Sequence, residues 1–433
     1  MTGPRSRPRG VGAPLRHRDF RLLWIGLVVS NTGSWMQFVA TGYLVDRLTL
    51  SPIYLGLLAL AQAIPRLALA PIGGALADRL DRRRVLLWTN LLLAASAALL
   101  AFLTMTGRVG VGHVILLGGV NSLLMSFDMP ARHAMVPHLV DEEEILQAVT
   151  LNSVAFNGAG VFGPSLGGVL IAWKGEAACF ALNALSYLGV VAAVLCMRPQ
   201  PHPAAGGSVF QEILEAVQTV RSSRTLGLVL AHVAVLNFFG RPYFRLLPTF
   251  AREVLRTDAA GLGLLQAAPG VGTILSAWYV ARASEERPEA LLRRATVLEG
   301  LCVFLFALSP TPGWAAACLV ATGLFQSVAM AAANAMLQTG VDPAMRGRAM
   351  GLYSVTAFGM FTLGTFPTSV AGAAFGIALA LAAGGVLTAL AGLWLGRALL
   401  RGTHPVPVVL PSHSTNPGAE EVGDDLGSTG DAP

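Results

Sequence analysis

Charge is scarce in this 433-residue chain: Asp, Glu, Lys and Arg together make up 12% of it, and lysine occurs once, as Lys174. Hydrophobic residues make up 54% and the mean hydropathy is +0.61, a balance that soluble domains do not have. Cysteine is nearly as rare. Cys179, Cys196, Cys302 and Cys318 fall within apolar runs and lack metal-ligand spacing, so they read as small buried residues rather than as a zinc module or disulfides. There is no GxxxxGK[ST] loop, and the short loops leave no room for an ATPase domain, which excludes nucleotide hydrolysis. The apolar runs hold no paired His/Asp/Glu cluster, which excludes a membrane-embedded enzyme and implies no cofactor or metal. Alternating strands of ~10 residues are missing as well, and with them the outer-membrane barrel.

What remains is an all-α polytopic membrane protein. A bilayer core about 30 Å thick needs about 20 apolar residues in a helix. Charges, prolines and glycines divide the chain into twelve such spans, near 20–45, 53–77, 85–106, 111–130, 147–172 and 177–197, then 226–251, 259–282, 292–309, 314–338, 347–372 and 376–398. LNSVAFN at 151–157 and LYSVTAF at 352–358 each open the fifth span of a half, which suggests an internal duplication of six helices. The expected organisation is a basic tail (1–18), a six-helix bundle (19–198), a linker (199–223), a second bundle (224–400) and a polar tail (401–433). Within the linker, SVFQEILEAVQTV has capping-box spacing at Ser208 and Gln211. Phe210, Ile213, Leu214 and Val217 share one face, as in a helix lying on the membrane surface. The tail from 403 has the composition of a disordered segment.

Basic residues collect in cytoplasmic loops. With both termini inside, the arginines of 5–21, 79–84, 132, 198, 221–224, 282–294, 346–348 and 397–401 all fall on the cytoplasmic side, leaving only Arg47, Arg108, Lys174, Arg252 and Arg256 outside. The formal charge of +6 therefore reflects topology and attraction to anionic lipid, not nucleic-acid binding. Residues 1–18 do not read as a cleavable signal. The expected location is the inner (cytoplasmic) membrane.

The stretch GALADRLDRRR at 74–84 resembles the signature loop between the second and third helices of the major facilitator superfamily, with Gly74, Asp78, Arg79, Arg82 and Arg83 at the matching positions and Asp81 where that pattern has glycine. Other stretches are similar to the drug and siderophore exporter branch that includes enterobactin exporters and macrolide efflux proteins: FRLLWIGLVVSNTGSWMQ (20–37), FDMPARHAMVPHLV (127–140), LNSVAFNGAGVFGPSLGG (151–168) and GRPYFRLLPTFAREVL (240–255). The resemblance implies two pseudo-symmetric six-helix bundles around a central cavity lined by helices 1, 4, 7 and 10. It further implies a monomer that exchanges a small-molecule substrate, by default for protons, with an inner gate carried by the 74–83 motif together with Asp128 and Arg132. Gly163, Pro164, Gly167 and Gly168 are similar to the fifth-helix motif of antiporters, with either a packing or a hinge role. The basic residue that many drug–proton antiporters carry in the fourth helix is missing here.

On the implied cavity helices, Ser30, Ser34, Gln37 and Thr41 lie at helical spacing beside Asn31, and Gln326, Asn334 and Gln338 share one face of helix 10. Such residues either bond neighbouring helices or hydrate a cavity. Arg66, a turn from Gln62, and Arg241 and Arg245, a turn after Asn237, are intramembrane charges that either hold an anionic group, charge the gate, or are satisfied locally. Arginine does not release a proton readily. The candidate proton carriers are Asp46 and Glu299, the latter also placed for an ion pair with Arg293 or Arg294. The expected function is a secondary exporter of small amphipathic molecules. The alternatives are an importer or facilitator, or a sensor or scaffold that moves nothing.

Overall fold

In the computed structural model the chain is described at residues 12–79, 81–198, 223–283, 285–341 and 346–402, with the side chains of 69–79, 157, 346–348 and 402 left out. The basic tail up to residue 11, the linker helix expected at 208–217 and the tail from 403 lie outside the described residues. So do the side chains of Gly74, Asp78 and Arg79, whose backbone is helical.

Every described span is helical. The first half comprises α1 (Arg18–Thr49), α2 (Pro52–Arg79), α3 (Arg82–Met105), α4 (Val111–Met135), α5 (Ile145–Lys174) and α6 (Glu176–Cys196). The second comprises α7 (Arg224–Glu253), α8 (Ala259–Arg282), α9 (Pro288–Ala307), α10 (Pro312–Thr339), α11 (Arg346–Phe375) and α12 (Ile377–Gly402). Among the described residues nine of these are long and apolar enough to cross a membrane on composition alone. Helices α1 and α9 carry the polar and charged residues singled out above, which lower their hydropathy.

Local chemistry sets the ends. Asp81, Asp258 and Thr311 cap α3, α8 and α10 by accepting from the backbone N–H of Arg83, Gly261 and Trp314. Proline opens α9 and α10, where its missing N–H costs nothing. The turn between α5 and α6 is the single residue Gly175 at φ 79°, and the turn between α11 and α12 is the single residue Gly376 at φ 93°. Only glycine enters that left-handed region without strain. The same device recurs six helices on.

The packing repeats too. In the first half α1 lies against α5 and α6, α2 against α4, and α3 against α4 and α6; in the second, α7 lies against α11 and α12, α8 against α10, and α9 against α10 and α12. The halves meet through α2 with α11 and α5 with α8, two contacts that the pseudo-twofold exchanges. Because lipid supplies no hydrophobic drive between helices, these seams use small residues. A Cβ on Gly168 would come within 2.6 Å of Gly263 Cα, and one on Gly56 would run into Ser369. Outward-facing Ile64, Leu166, Ile274 and Leu379, with Trp88, Trp173, Trp278 and Trp394, form a surface suited to hydrocarbon and its interfaces.

One span departs from a plain helix. α7 is α-helical to Val235, π-helical over Leu236–Gly240, and resumes at Tyr243 after Pro242. π turns are rare and concentrate at functional positions.

Candidate functional site

The halves touch on the side opposite the arginine-rich loops. There Asp46 of α1, only 4% exposed, accepts from Thr249 Oγ1 (2.6 Å), Arg252 Nε (2.6 Å) and Arg252 Nη2 (3.1 Å), all on α7. Gly42 abuts Pro248, and Phe38 stacks on Phe244 at 5.5 Å. Asp46 is therefore held in an ion pair between the bundles. The sequence reading placed Arg252 only as an outside charge; the usable signal was that Asp46 and Arg252 occupy the same end of the first helix of each half.

Three recesses lie among the described residues, one next to the latch and two toward the basic side. The smallest, about 130 Å³, is lined by Ser34, Gln37 and Thr41 of α1, Gln62 of α2, Asn183 and Tyr187 of α6, and by Arg245 and Gln266 reaching across from the second half. Ser34 hydrogen-bonds Tyr187 Oη at 3.0 Å, and Asn183 Nδ2 donates to Gln37 Oε1 at 2.7 Å. A second, of about 250 Å³, holds Asn31, Asp128, Met129, Arg132 and Phe358. The largest, about 610 Å³, lies between Trp35, Phe156 and Gly160 on one side and Arg241, Phe244, Gln266 and Gln326 on the other.

Arg245 borders the first of these recesses and Arg241 the third, while Arg66 lies behind Phe358 and Met129 of the second. Arg66 lies over Phe358 with its carbon 5.3 Å from the ring centroid, Arg241 over Phe361 at 5.0 Å, and Arg245 over Phe38 at 5.1 Å. Arg245 turns inward, with its buried Nε lacking a hydrogen-bond partner; it does not reach out to the membrane edge.

Not all the polar candidates line a recess. Ser30 is buried within the first bundle. Asn237 is fully buried and serves the π turn, donating to Val233 O at 2.8 Å and accepting from Arg241 Nη1 at 3.4 Å. Asn334 and Gln338 bond each other instead, and only Gln326 of the helix 10 stripe borders a recess. Cys196 is exposed, contrary to the expectation of burial, and all four cysteines are free.

One further expectation needs correction. Glu299 makes no ion pair with Arg293 or Arg294, since Arg294 bonds Glu286 at 2.9 Å and Tyr279 at 2.6 Å. Glu299 is fully buried on α9, neither carboxylate oxygen has a hydrogen-bond partner among the described residues, and both face Gly240 of the π turn. The described part of the 74–84 motif bonds within its own half. Arg82 Nη1 donates to Ala134 O at the end of α4 (2.9 Å), while Arg83 donates to Val194 O and Leu195 O at the end of α6 (3.1 and 2.9 Å). Arginines at helix C-termini satisfy orphan carbonyls and complement the dipole.

Asp128 likewise ties α3 to α4. Completely buried, it accepts from Thr89 Oγ1 (3.0 Å), Asn90 Nδ2 (2.6 Å) and Arg132 Nη2 (2.6 Å). Asp128→Ala should destabilise the first half by about 3–5 kcal/mol, because it strands a buried guanidinium. Thermal melting in detergent checks this, with Asp128→Asn recovering part of the loss through its remaining acceptor oxygen; an unshifted Asp128→Ala midpoint would contradict the network.

The glycines of the fifth-helix motif divide between two seams. Gly163 and Gly167 pack on Trp35 and Met36 of α1, and Gly168 on Gly263 of α8. Pro164 sits between them, with its carbonyl 3.0 Å from where a Cβ of Gly263 would lie.

Comparison with known proteins agrees with this architecture. The chain is 26% identical over 346 residues to the enterobactin exporter EntS of Citrobacter koseri, covering 78% of this chain and 81% of that one. It is 31% identical over 157 residues to the MFS-type transporter YfiS of Bacillus subtilis, a match spanning 36% of each chain. Among solved structures, an inward-facing bacterial homologue of the human lysosomal transporter Spinster superposes with a TM-score of 0.74 at 14% identity, over 90% of this chain and 98% of the other. A bacterial homologue of the iron transporter ferroportin, also inward-facing, gives 0.67 at 14% identity, over 88% and 98%. These relatives are multi-pass membrane transporters, not enzymes, and they carry small molecules. Residues 10–427 match the model described as "transmembrane secretion effector", and the chain belongs to that family of major facilitator transporters.

Proposed function

We propose that the chain exports small amphipathic molecules, of drug, antibiotic or siderophore type, across the cytoplasmic membrane by alternating access, with protons as the coupling ion. The observation that carries this reading is the asymmetry of the closure. The Asp46–Thr249–Arg252 latch joins the bundles on one side, while the two larger recesses lie toward the arginine-rich side. The positive-inside rule makes that side cytoplasmic, so both termini are cytoplasmic and the cavity loads from within. The similarity to enterobactin exporters supports the outward direction. Rocking about the α2–α11 and α5–α8 seams would break the latch and close the cytoplasmic side, with Gly74, Asp78 and Arg79 contributing to that inner gate. The protein works as a monomer in this scheme.

Of the two candidate proton carriers, Asp46 is engaged by Arg252, whereas Glu299 has no partner. An ionised carboxylate buried without one is costly, and a bound proton removes that cost. Glu299 is the proposed carrier.

Inverted membrane vesicles under an imposed pH gradient, acid inside, should accumulate the substrate class, and right-side-out vesicles should not. Accumulation confined to right-side-out vesicles would sink the export direction. The latch has its own check. In a cysteine-free background carrying Gly42→Cys, Arg252→Gln should raise labelling by an impermeant maleimide from the outer side at least tenfold. Unchanged labelling would remove Asp46 and Arg252 from the gate.

A further inference from the structure

The arginines of the cavity form no ion pair. Among the described residues none of Arg66, Arg241 and Arg245 lies within 4.0 Å of a carboxylate. Their polar contacts are weak: Arg66 Nη2 to Met129 Sδ at 3.5 Å and Arg241 Nη1 to Asn237 Oδ1 at 3.4 Å, with Arg245 Nε unpartnered. Of the nearby carboxylates, Asp128 is taken by Arg132 and the α3 side chains, and Glu299 packs on Gly240 of the π turn beyond ion-pair distance of any of the three. Two amide atoms bordering the recesses, Gln266 Oε1 and Gln326 Nε2, are also buried without partners. Unpaired charges withdrawn from water are expensive, and the cost is recovered only when an opposite charge arrives.

The linings of the recesses separate two parts of what arrives. The one that Arg245 enters, about 130 Å³, is lined by the polar Ser34, Gln37, Gln62 and Asn183, which suit an acidic head. The one that Arg241 borders is about 610 Å³ and is walled by Trp35, Phe156 and Phe244, where flat apolar bodies stack. Each guanidinium already rests on a phenyl face, which leaves its edge donors free for oxygen atoms.

We infer that the substrate is an aromatic anion whose acidic head is held by Arg245 and whose ring body lies beside Arg241, and that its charge crosses with it, so that the membrane potential drives efflux directly. This rests on the proposed export function and narrows it. The same field excludes cationic amphiphiles. With the cytoplasm negative, an outgoing anion moves down the potential, and each charge carried adds a tenfold accumulation for about 59 mV.

The test uses the full chain and two isosteric probes, 1-naphthalenesulfonate and 1-naphthylmethylammonium. Equilibrium dialysis in detergent should show the sulfonate bound at least tenfold tighter than the ammonium. Arg245→Gln and Arg241→Gln should each weaken sulfonate binding at least tenfold, with Arg245→Lys intermediate. In proteoliposomes with a potassium diffusion potential and no pH gradient, the sulfonate should accumulate on the positive side, about tenfold per 59 mV if it crosses alone and about tenfold per 30 mV if one proton crosses in exchange. Equal binding of the two probes, or sulfonate binding indifferent to both Gln variants, overturns the inference whether or not a variant folds poorly, because the probe comparison is made on the unaltered chain. Transport of the ammonium but not the sulfonate overturns it and leaves the exporter standing. Arginine-dependent sulfonate binding with no flux at either polarity keeps the anion site and rejects both the potential-driven step and transport.

Discussion

Gly168→Val should abolish transport, and even alanine there should lower it at least tenfold. A Cβ on Gly168 would come within 2.6 Å of Gly263 Cα and 2.7 Å of Ala259 O, and a Cβ on Gly263 would meet Gly168 Cα at 2.7 Å. The obstructing atoms are backbone on both sides, so no side chain can turn away, and the helices must separate. This is the seam between α5 and α8, one of the two along which the bundles stay joined, and small-residue packing is what holds membrane helices that closely. Gly189, where a Cβ meets nothing within 4 Å, is the internal control: Gly189→Ala should transport normally. Vesicle flux and the melting temperature of the purified variants make the comparison. Wild-type flux in Gly168→Val would show that the seam opens during the cycle or does not matter to it.

Glu299→Gln separates substrate movement from proton coupling. The substitution keeps shape and volume and supplies permanently the neutral charge that a bound proton would give. Substrate exchange down its own gradient should persist, while the response to an imposed pH gradient should fall at least tenfold. The charged and titratable groups around Glu299 are Arg241 and Tyr243 on α7 and Cys302 on its own helix. Arg241 holds a fixed positive charge at all working pH values, so the pH dependence that disappears belongs to the carboxyl. Counterflow and gradient-driven uptake in inverted vesicles give the two readings. A variant that keeps its full pH-gradient response would end the assignment of Glu299 as carrier.

Much of the fold was legible because bilayer thickness and hydrogen-bond satisfaction leave few choices. Span count and the division into two sixes follow from run length and punctuation. The inward aim of Arg66, Arg241 and Arg245 was half legible, since charge in a span implies a cavity or a partner but does not say which. The partner of Asp46 was not legible, because it lies more than 200 residues away on another bundle and depends on which side of the transporter is closed. The π turn escaped notice because LNFFG differs from a helical run by one extra residue in a turn, which periodicity over so few residues does not resolve. Glu299 was misjudged by proximity in sequence. Arg293 and Arg294 point to other neighbours, while Glu299 faces Gly240, where the missing side chain leaves space for it.

The arginines of the 74–84 segment have a mechanical consequence. Arg82 fastens the end of α4 and Arg83 the end of α6, so one short turn rivets three helix ends that would otherwise fray separately. A 25-residue helix is a lever about 38 Å long, and levers transmit displacement only when their ends are fixed to a common plate. Riveted in this way, α3, α4 and α6 share one fastening at their cytoplasmic ends, so that none of the three can shift there without pulling on the other two.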